Sequence, residues 1–358
     1  MRLDRGCGAK KVALFTTSLA AGGAEKSLLR IAECLTDQGK QVLLIVASLD
    51  GVIQKPERLE IKHLSKRAIV RFSLLRKLWL ATRLKWVLLS NNCDLVISTL
   101  PTADEIVALS GFPRAIFRIA NLYGLDVDAQ RSESKRRRRF RRYRKLYEDR
   151  PIVCTTEYMA EHMRTYFRAR KISVIHNFND QPWCSDISQP VFQQSYCIHV
   201  GRFVPQKRHQ FLLEVWASRG SLPDLVLLTQ HSPELDIEIQ RLGLEDRVIV
   251  VGYVQDPMPL IGASQCLVLC SDYEGFPSVL LEAMHAKTRI ASGSCGGVAS
   301  EICSRVPEVI CRNDSIQEFG ADLEEILKRP VPDYSTTLSW YSRERANHLW
   351  SALIDQMV

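Results

Sequence analysis

The chain lacks any run of about eighteen uncharged apolar residues, the length a membrane-spanning helix needs, so no spanning segment is expected among its 358 residues. It lacks a signal-type apolar core as well. Met1-Arg2-Leu3-Asp4-Arg5 leads instead toward a strand, and the expected location is the cytoplasm. No CxxC pair and no Cys/His group with zinc spacing occurs, and the eleven cysteines are an odd number. Cys34, Cys197, Cys266, Cys270 and Cys311 stand inside apolar segments, where buried reduced thiols are expected rather than disulfides or metal ligands. His63, His162, His176, His199, His209, His231, His285 and His348 show no metal spacing and are read as structural or solvent-facing. A GxGxxG fingerprint is absent, and no Asp-x-Asp stands at a strand end, so no metal site is expected.

What remains is an ordinary globular composition, 46% hydrophobic and 25% charged, in a chain long enough for two separate cores. The net charge of +8 is local. Lys135–Lys145 carries nine basic residues in eleven, and 8 − 9 = −1 leaves the rest of the molecule near neutral. Interleaved with Phe140 and Tyr143, this run suits a helix lying on an anionic membrane surface. A nucleic-acid or targeting patch and a plain solvated face are its other readings.

Strands alternate with helices throughout, which predicts parallel sheets covered on both faces. In the first half the apolar runs are 11–17, 42–47, 95–100, 115–119, 152–155 and 172–175; in the second they are 196–201, 225–229, 248–252, 266–271, 289–292 and 308–311. Helical patterns fill 24–38 and 74–90; the latter, with basic residues, Trp79 and Trp86, offers added membrane contact as one reading, and its scattered charges favour a packed core helix with snorkelling cations. The aperiodic, proline-bearing stretch 177–191 is read as a linker. The resulting domains are 1–178 and 179–340, followed by a helix over about 341–358.

The segment Glu274-Gly275-Phe276-Pro277-Ser278-Val279-Leu280-Leu281-Glu282 follows an apolar strand and carries two carboxylates around a helix start. The unpaired N–H groups of a helix beginning at Ser278, with the positive end of its dipole, make an anion site. Carboxylates beside such a site suit a ligand bearing both phosphate and hydroxyl groups, as a nucleotide sugar does. Upstream, Gly22-Gly23-Ala24-Glu25 follows the first strand, Val174-Ile175-His176-Asn177 precedes the linker, and Gly201-Arg202 through Lys207 opens the second half. Gly296-Gly297 through Glu301 follows the double-glutamate segment.

These landmarks, in this order, resemble those of the retaining glycosyltransferases of family 4, and the resemblance covers nearly the whole chain. It implies the GT-B fold: two Rossmann-like α/β domains whose parallel sheets face a central cleft, with the last helix packed back on the first domain. The implied activity is metal-independent transfer of a sugar, without a cofactor, from a nucleotide-sugar donor, read as a UDP-sugar. The acceptor would be a glycan or lipid-linked molecule in bacterial lipopolysaccharide, O-antigen or capsule synthesis. The resemblance places Arg202 and Lys207 on the donor diphosphate, Glu274 toward the transferred sugar and Glu282 on the ribose. Backbone N–H groups of Ser278 and Val279, with Gly296 and Gly297, would meet phosphate or sugar, and Gly22 and Gly23 would let ligand approach the first helix. The basic run would rest on the inner face of the plasma membrane, with no nucleic acid expected.

Three departures stand out. Thr229-Gln230-His231-Ser232-Pro233 replaces the family's Gly-x-Gly after the second donor-domain strand. No histidine occurs between Leu64 and Glu161 to face the donor sugar, leaving Asn121 and Tyr123 as candidates, and Thr155 stands where serine is common. The alternatives are a nucleotide-sugar epimerase on the same fold and a non-enzymatic module binding anionic lipid or nucleic acid through Lys135–Lys145.

Overall fold

The computed structural model describes residues 10–19, 22–48, 59–65, 69, 72–179, 192, 194–312 and 315–358. Met1–Arg5 and almost all of the stretch read as a linker lie outside these residues. The chain divides into two compact units, one of residues 1–177 with 343–358 and one of residues 178–342.

The first unit is built on seven parallel strands: β1 (Lys11–Thr16), β2 (Gln41–Ser48), β3 (Glu60–Ser65), β4 (Leu95–Thr99), β5 (Ala115–Arg118), β6 (Ile152–Cys154) and β7 (Ile172–Val174). Their order is β3-β2-β1-β4-β5-β6-β7. Around them stand α1 (Gly23–Asp37), α2 (Leu74–Ser90), α3 (Pro101–Ser110), α4 (Tyr123–Asp128), α5 (Glu133–Tyr147), α6 (Glu157–Phe167) and α14 (Arg343–Met357). Strands buried on both faces read as continuous apolar runs, and β1, β2 and β4 are such strands. β3 escaped the reading because Glu-Ile-Lys-His-Leu-Ser is mostly polar, as befits a partly exposed edge strand. Ser73 caps α2 by accepting from the Arg76 N–H, and Thr156 caps α6 through the Met159 N–H. α14 packs on α1: Trp350 and Ile354 join Leu28, Ile31 and Leu35 in one core, and Arg343 pairs with Asp37 at 2.5 Å.

The second unit has five parallel strands: β8 (Tyr196–Val200), β9 (Asp224–Leu228), β10 (Val248–Val250), β11 (Cys266–Leu269) and β12 (Arg289–Ser292), ordered β10-β9-β8-β11-β12. Its helices are α7 (His209–Ser218), α8 (Pro233–Arg241), α9 (Met258–Ala263), α10 (Ser278–His285), α11 (Val298–Ile302), α12 (Ile316–Lys328) and α13 (Ser335–Trp340). The strand expected over 308–311 is instead a short 3-10 turn, Pro307–Val309, followed by a single bridge from Ile310 to Ser292. Pro307 has no N–H to donate to a ladder, and its fixed φ suits the first position of a turn.

Two helices differ from their sequence reading. On α5, Phe140 and Tyr143 do not alternate outward with the cations. Tyr143 is buried against Tyr123, Tyr147 and Phe167, and the Phe140 ring lies 5.9 Å from that of Phe167. α2 is not enclosed: Leu80, Ala81, Leu84, Val87 and Leu88 are buried, while much of its remaining apolar surface faces solvent. Each of the nine described cysteines is buried and outside any disulfide; burial pushes the Cys197, Cys270 and Cys303 thiols up to about 12. Among the described residues no helix is long and apolar enough to cross a membrane.

Candidate functional site

In an open parallel sheet, ligands bind beyond the carboxyl ends of the strands where the strand order reverses. In the second unit that point lies between β8 and β11, so the loops after these strands frame the candidate site. After β8 the chain runs Gly201-Arg202 into the 3-10 turn Pro205–Lys207, then through Arg208, at φ 53°, into α7. After β11 it runs through Asp272, Tyr273 and Glu274 to α10.

Hydrogen bonds lace the two loops together. The Asp272 N–H donates to the Gln206 carbonyl at 2.9 Å, and Gln206 Nε2 returns a bond to the Tyr273 carbonyl at 2.6 Å. Lys207 Nζ meets Glu274 Oε1 at 2.5 Å, with Glu274 only 8% exposed. The third loop joins them, because the Glu274 N–H donates to the Cys295 carbonyl at 3.2 Å, next to Gly296 and Gly297. Both glycines have positive φ, 70° and 103°, a backbone path that side chains resist.

The Lys207 stem passes close over Gly201. A Cβ at residue 201 would stand 3.3 Å from Lys207 Cδ and 3.2 Å from His199 Nε2. Glycine here therefore leaves room for the lysine to cross to Glu274. Beneath it, His199 donates through its Nδ1–H to the Val268 carbonyl, 2.9 Å away, and its ring stands edge-on to His209 at 4.8 Å. Burial holds the His199 pKa well below the ordinary imidazole value and lowers that of His209 to about 4, so both are neutral at pH 7. The loop thus rests on two uncharged rings, and Lys207 supplies the positive charge above them.

Arg202, Lys207, Glu274, Ser278, Val279, Gly296 and Gly297 all lie on the loops and helix start at this end of the second sheet. Arg202 is exposed, and its guanidinium has no ion pair or hydrogen bond among the described residues. Ser278 and Val279 open α10, so their N–H groups precede the helix's own bonding pattern. Glu282 lies one turn further on and is half-buried.

Gly22 and Gly23 belong to the first unit, where α1 begins after β1 at that sheet's own reversal, between β1 and β4. The Glu25 carboxylate folds over Gly22: an added Cβ would be 2.2 Å from its Oε2. A negative charge from the chain itself therefore sits at the α1 N-terminus, where the helix dipole favours it. Tyr123 is buried with its hydroxyl accepting from the Ala120 N–H, and the Asn121 side chain caps the Leu122 N–H, so both are engaged locally.

Two buried groups in the first unit were missed. Arg118, at the end of β5, is 2% exposed and donates to Asn177 Oδ1 at 2.7 Å and Thr99 Oγ1 at 3.3 Å. Desolvation lowers its pKa to about 10 while the nearby Glu25 opposes that shift. An arginine inside an apolar strand was the available signal. Asp104 on α3 accepts from Ser98 Oγ at 2.6 Å and Tyr147 OH at 2.8 Å, and burial raises its carboxyl to about 7. Along α5 runs an open groove of about 600 Å³ lined by Val127, Phe140, Tyr166 and the cations Arg136, Arg141 and Lys145, among others. Among the described residues no cluster of three or more His, Cys, Asp or Glu could hold a metal ion.

Comparison with known proteins gives consistent matches along the chain. Residues 21–181 match the family described as Glycosyltransferase Family 4, and residues 187–345 match Glycosyl transferases group 1. An uncharacterized glycosyltransferase of Haemophilus influenzae is 23% identical over 96% of this chain and all of its own. Among solved structures, Anabaena HepE in complex with UDP and glucose superposes with a TM-score of 0.79 at 18% identity, covering 97% of this chain and 100% of that one. WaaG, a glycosyltransferase involved in lipopolysaccharide biosynthesis, gives 0.73 at 17% identity over 94% of each chain.

Proposed function

Because the chain belongs to the family 4 glycosyltransferases, with GT-B-type parallel α/β domains, we propose that it moves a sugar from a UDP-sugar to a glycan or lipid-linked acceptor, with retention of anomeric configuration. The observation that carries this reading is the meeting of Lys207 and Glu274 at the strand-order reversal of the second sheet, beside the start of α10 and the Gly296–Gly297 turn. That end of the sheet offers cations, helix amides and a carboxylate within one set of laced loops.

In the reaction, the bond between the anomeric carbon and the donor phosphate oxygen breaks, and a bond to the acceptor oxygen forms on the same face. The acceptor proton passes to an oxygen of the departing phosphate, so no protein nucleophile is needed. Charge growing on the nucleoside diphosphate is stabilised by Arg202, Lys207 and the Ser278 and Val279 amides, of which Lys207, held by Glu274, and the helix amides are in place before the reaction begins. Glu274 holds Lys207 and faces the transferred sugar, and Glu282 accepts from the ribose hydroxyls. The UDP reading is supported by HepE's complex with UDP and glucose. The setting, synthesis of a bacterial surface glycan, is supported by the likeness to WaaG and by the basic helix α5, which suits an anionic membrane at the inner face of the cell.

Differential scanning fluorimetry against UDP-, GDP-, ADP- and CMP-sugars tests the donor reading, because a ligand of the native state raises the melting temperature by mass action. A shift with UDP-sugars that disappears in Arg202→Ala and Glu282→Ala supports it. A shift confined to another nucleotide overturns the base assignment, and a shift retained in both variants moves the site elsewhere.

A further inference from the structure

The exposed half of α2 carries Leu74, Leu75, Leu78, Trp79, Trp86 and Leu89, each between 43% and 80% exposed. On a helix of 3.6 residues per turn these side chains share one arc, with Thr82 inside it and Lys85 toward one edge, opposite the buried stripe of Leu80, Leu84 and Leu88. Large contiguous apolar patches on a folded surface mark contact with a membrane or another protein. The helix has four cations and no acidic residue. Lys77 turns to the protein and pairs with Glu105 at 2.5 Å, while the Arg83 guanidinium lies 4.9 Å from the Trp79 ring at the edge of the apolar arc. Glu105 also holds Arg142 of α5 at 2.6 Å, so one carboxylate of α3 fixes the apolar helix beside the basic one.

We propose that α2 docks in the interfacial layer of an anionic bilayer, lying in its plane with the Leu/Trp arc buried and Arg83 and Lys85 at headgroup level. Its composition fits a bilayer better than a second copy of the chain. An isologous dimer would set this acid-free face and its cations against themselves. At seventeen residues with four charges the helix is suited to lie in the interface rather than cross it. Tryptophan is at home at that boundary, with an apolar body and a polar tip. The inference deepens the reading that the first unit meets an anionic surface and rests on it for the sign of the lipid charge. What it adds is an inserting element on a helix whose sequence reads as packed core.

The test uses the full chain with phosphatidylcholine vesicles, with and without phosphatidylglycerol, some carrying brominated acyl chains that quench nearby tryptophan. Binding to the anionic vesicles with quenching is expected, and the quenching should vanish in Trp79→Phe/Trp86→Phe while binding persists. Leu75→Asp/Trp86→Asp should weaken partitioning by about tenfold or more, with melting temperature and its nucleotide-sugar shift unchanged. Binding without quenching leaves only electrostatic contact and overturns insertion. Absence of binding to either vesicle overturns insertion and the surface reading together, and a dimer in solution abolished by Leu75→Asp/Trp86→Asp assigns the arc to self-association. Failure of the transferase reading shows separately, as absence of a nucleotide-sugar shift.

Discussion

At the scale of single residues, the two donor-side cations differ in what the fold asks of them. Lys207 neutralises a carboxylate that is 8% exposed, whereas Arg202 is exposed and unpartnered among the described residues. Lys207→Ala should therefore cost about 1–3 kcal/mol of stability, since Glu274 loses its partner in a site that excludes most water. Turnover should fall on the order of 10²–10³-fold if the ammonium also stabilises the leaving diphosphate. Arg202→Ala should change stability by less than about 0.5 kcal/mol yet abolish the donor-induced rise in melting temperature. Thermal unfolding and initial rates on both variants check the contrast; equal destabilisation by the two would sink it. The types and local spacing of these residues were readable, because each loop is a short contiguous segment following an apolar strand. Their meeting was not, because Lys207 and Glu274 are 67 positions apart and are joined by the pairing of β8 with β11. Arg118 was missed for a related reason: its partners Thr99 and Asn177 come from distant segments.

At the scale of elements, α5 shows how composition can hide periodicity. Its nine cations dominate the composition, yet Phe140, Tyr143 and Tyr147 recur at i, i+3 and i+7, the spacing of a buried stripe. In the structure that stripe packs on α4 and α6, and Tyr147 continues to Asp104 on α3. On α2 the equivalent stripe was blurred because leucines and tryptophans fill both halves of the helix. The Asp104 bond gives the α3–α5 contact a pH dependence whose sign is fixed. The carboxyl titrates at about 7 when folded against 3.8 ordinarily, so below about pH 4 both states hold the proton. Between about 4 and about 7 the unfolded chain sheds it while the folded chain keeps it, and stability falls as pH rises; above about 7 the loss is complete. Asp104→Asn, uncharged throughout, should flatten that part of the profile, read as the wild-type-minus-variant difference in unfolding free energy against pH. A difference that does not change between pH 4 and 8 would overturn the assignment. Tyr147→Phe, which removes one donor from a buried carboxyl, should cost about 1–3 kcal/mol.

At the scale of the whole molecule, the alternation of strand and helix was enough to predict parallel α/β architecture, since the central strands of both sheets are buried apolar runs. It could not indicate the polar edge strand β3 or the turn at Pro307, where local chemistry departs from the repeating pattern. The chain leaves the first unit at residue 177 and returns to it at 343, so its last helix belongs to a core formed near its beginning. Trp350, 1% exposed, is the largest side chain that α14 contributes to that core. Trp350→Ala should remove about 3–5 kcal/mol from the first unit alone, because both the lost burial and the cavity fall among Leu28, Ile31 and Leu35. The second unit keeps its strands, its laced loops and its proposed donor site. Calorimetry of the variant should therefore show the melting of the first unit moved to lower temperature, with a nucleotide-sugar still raising the transition of the second. A single transition that moves as one, with the ligand shift lost, would mean that the two units unfold as one cooperative body and that α14 supports the donor site as well as the core it joins.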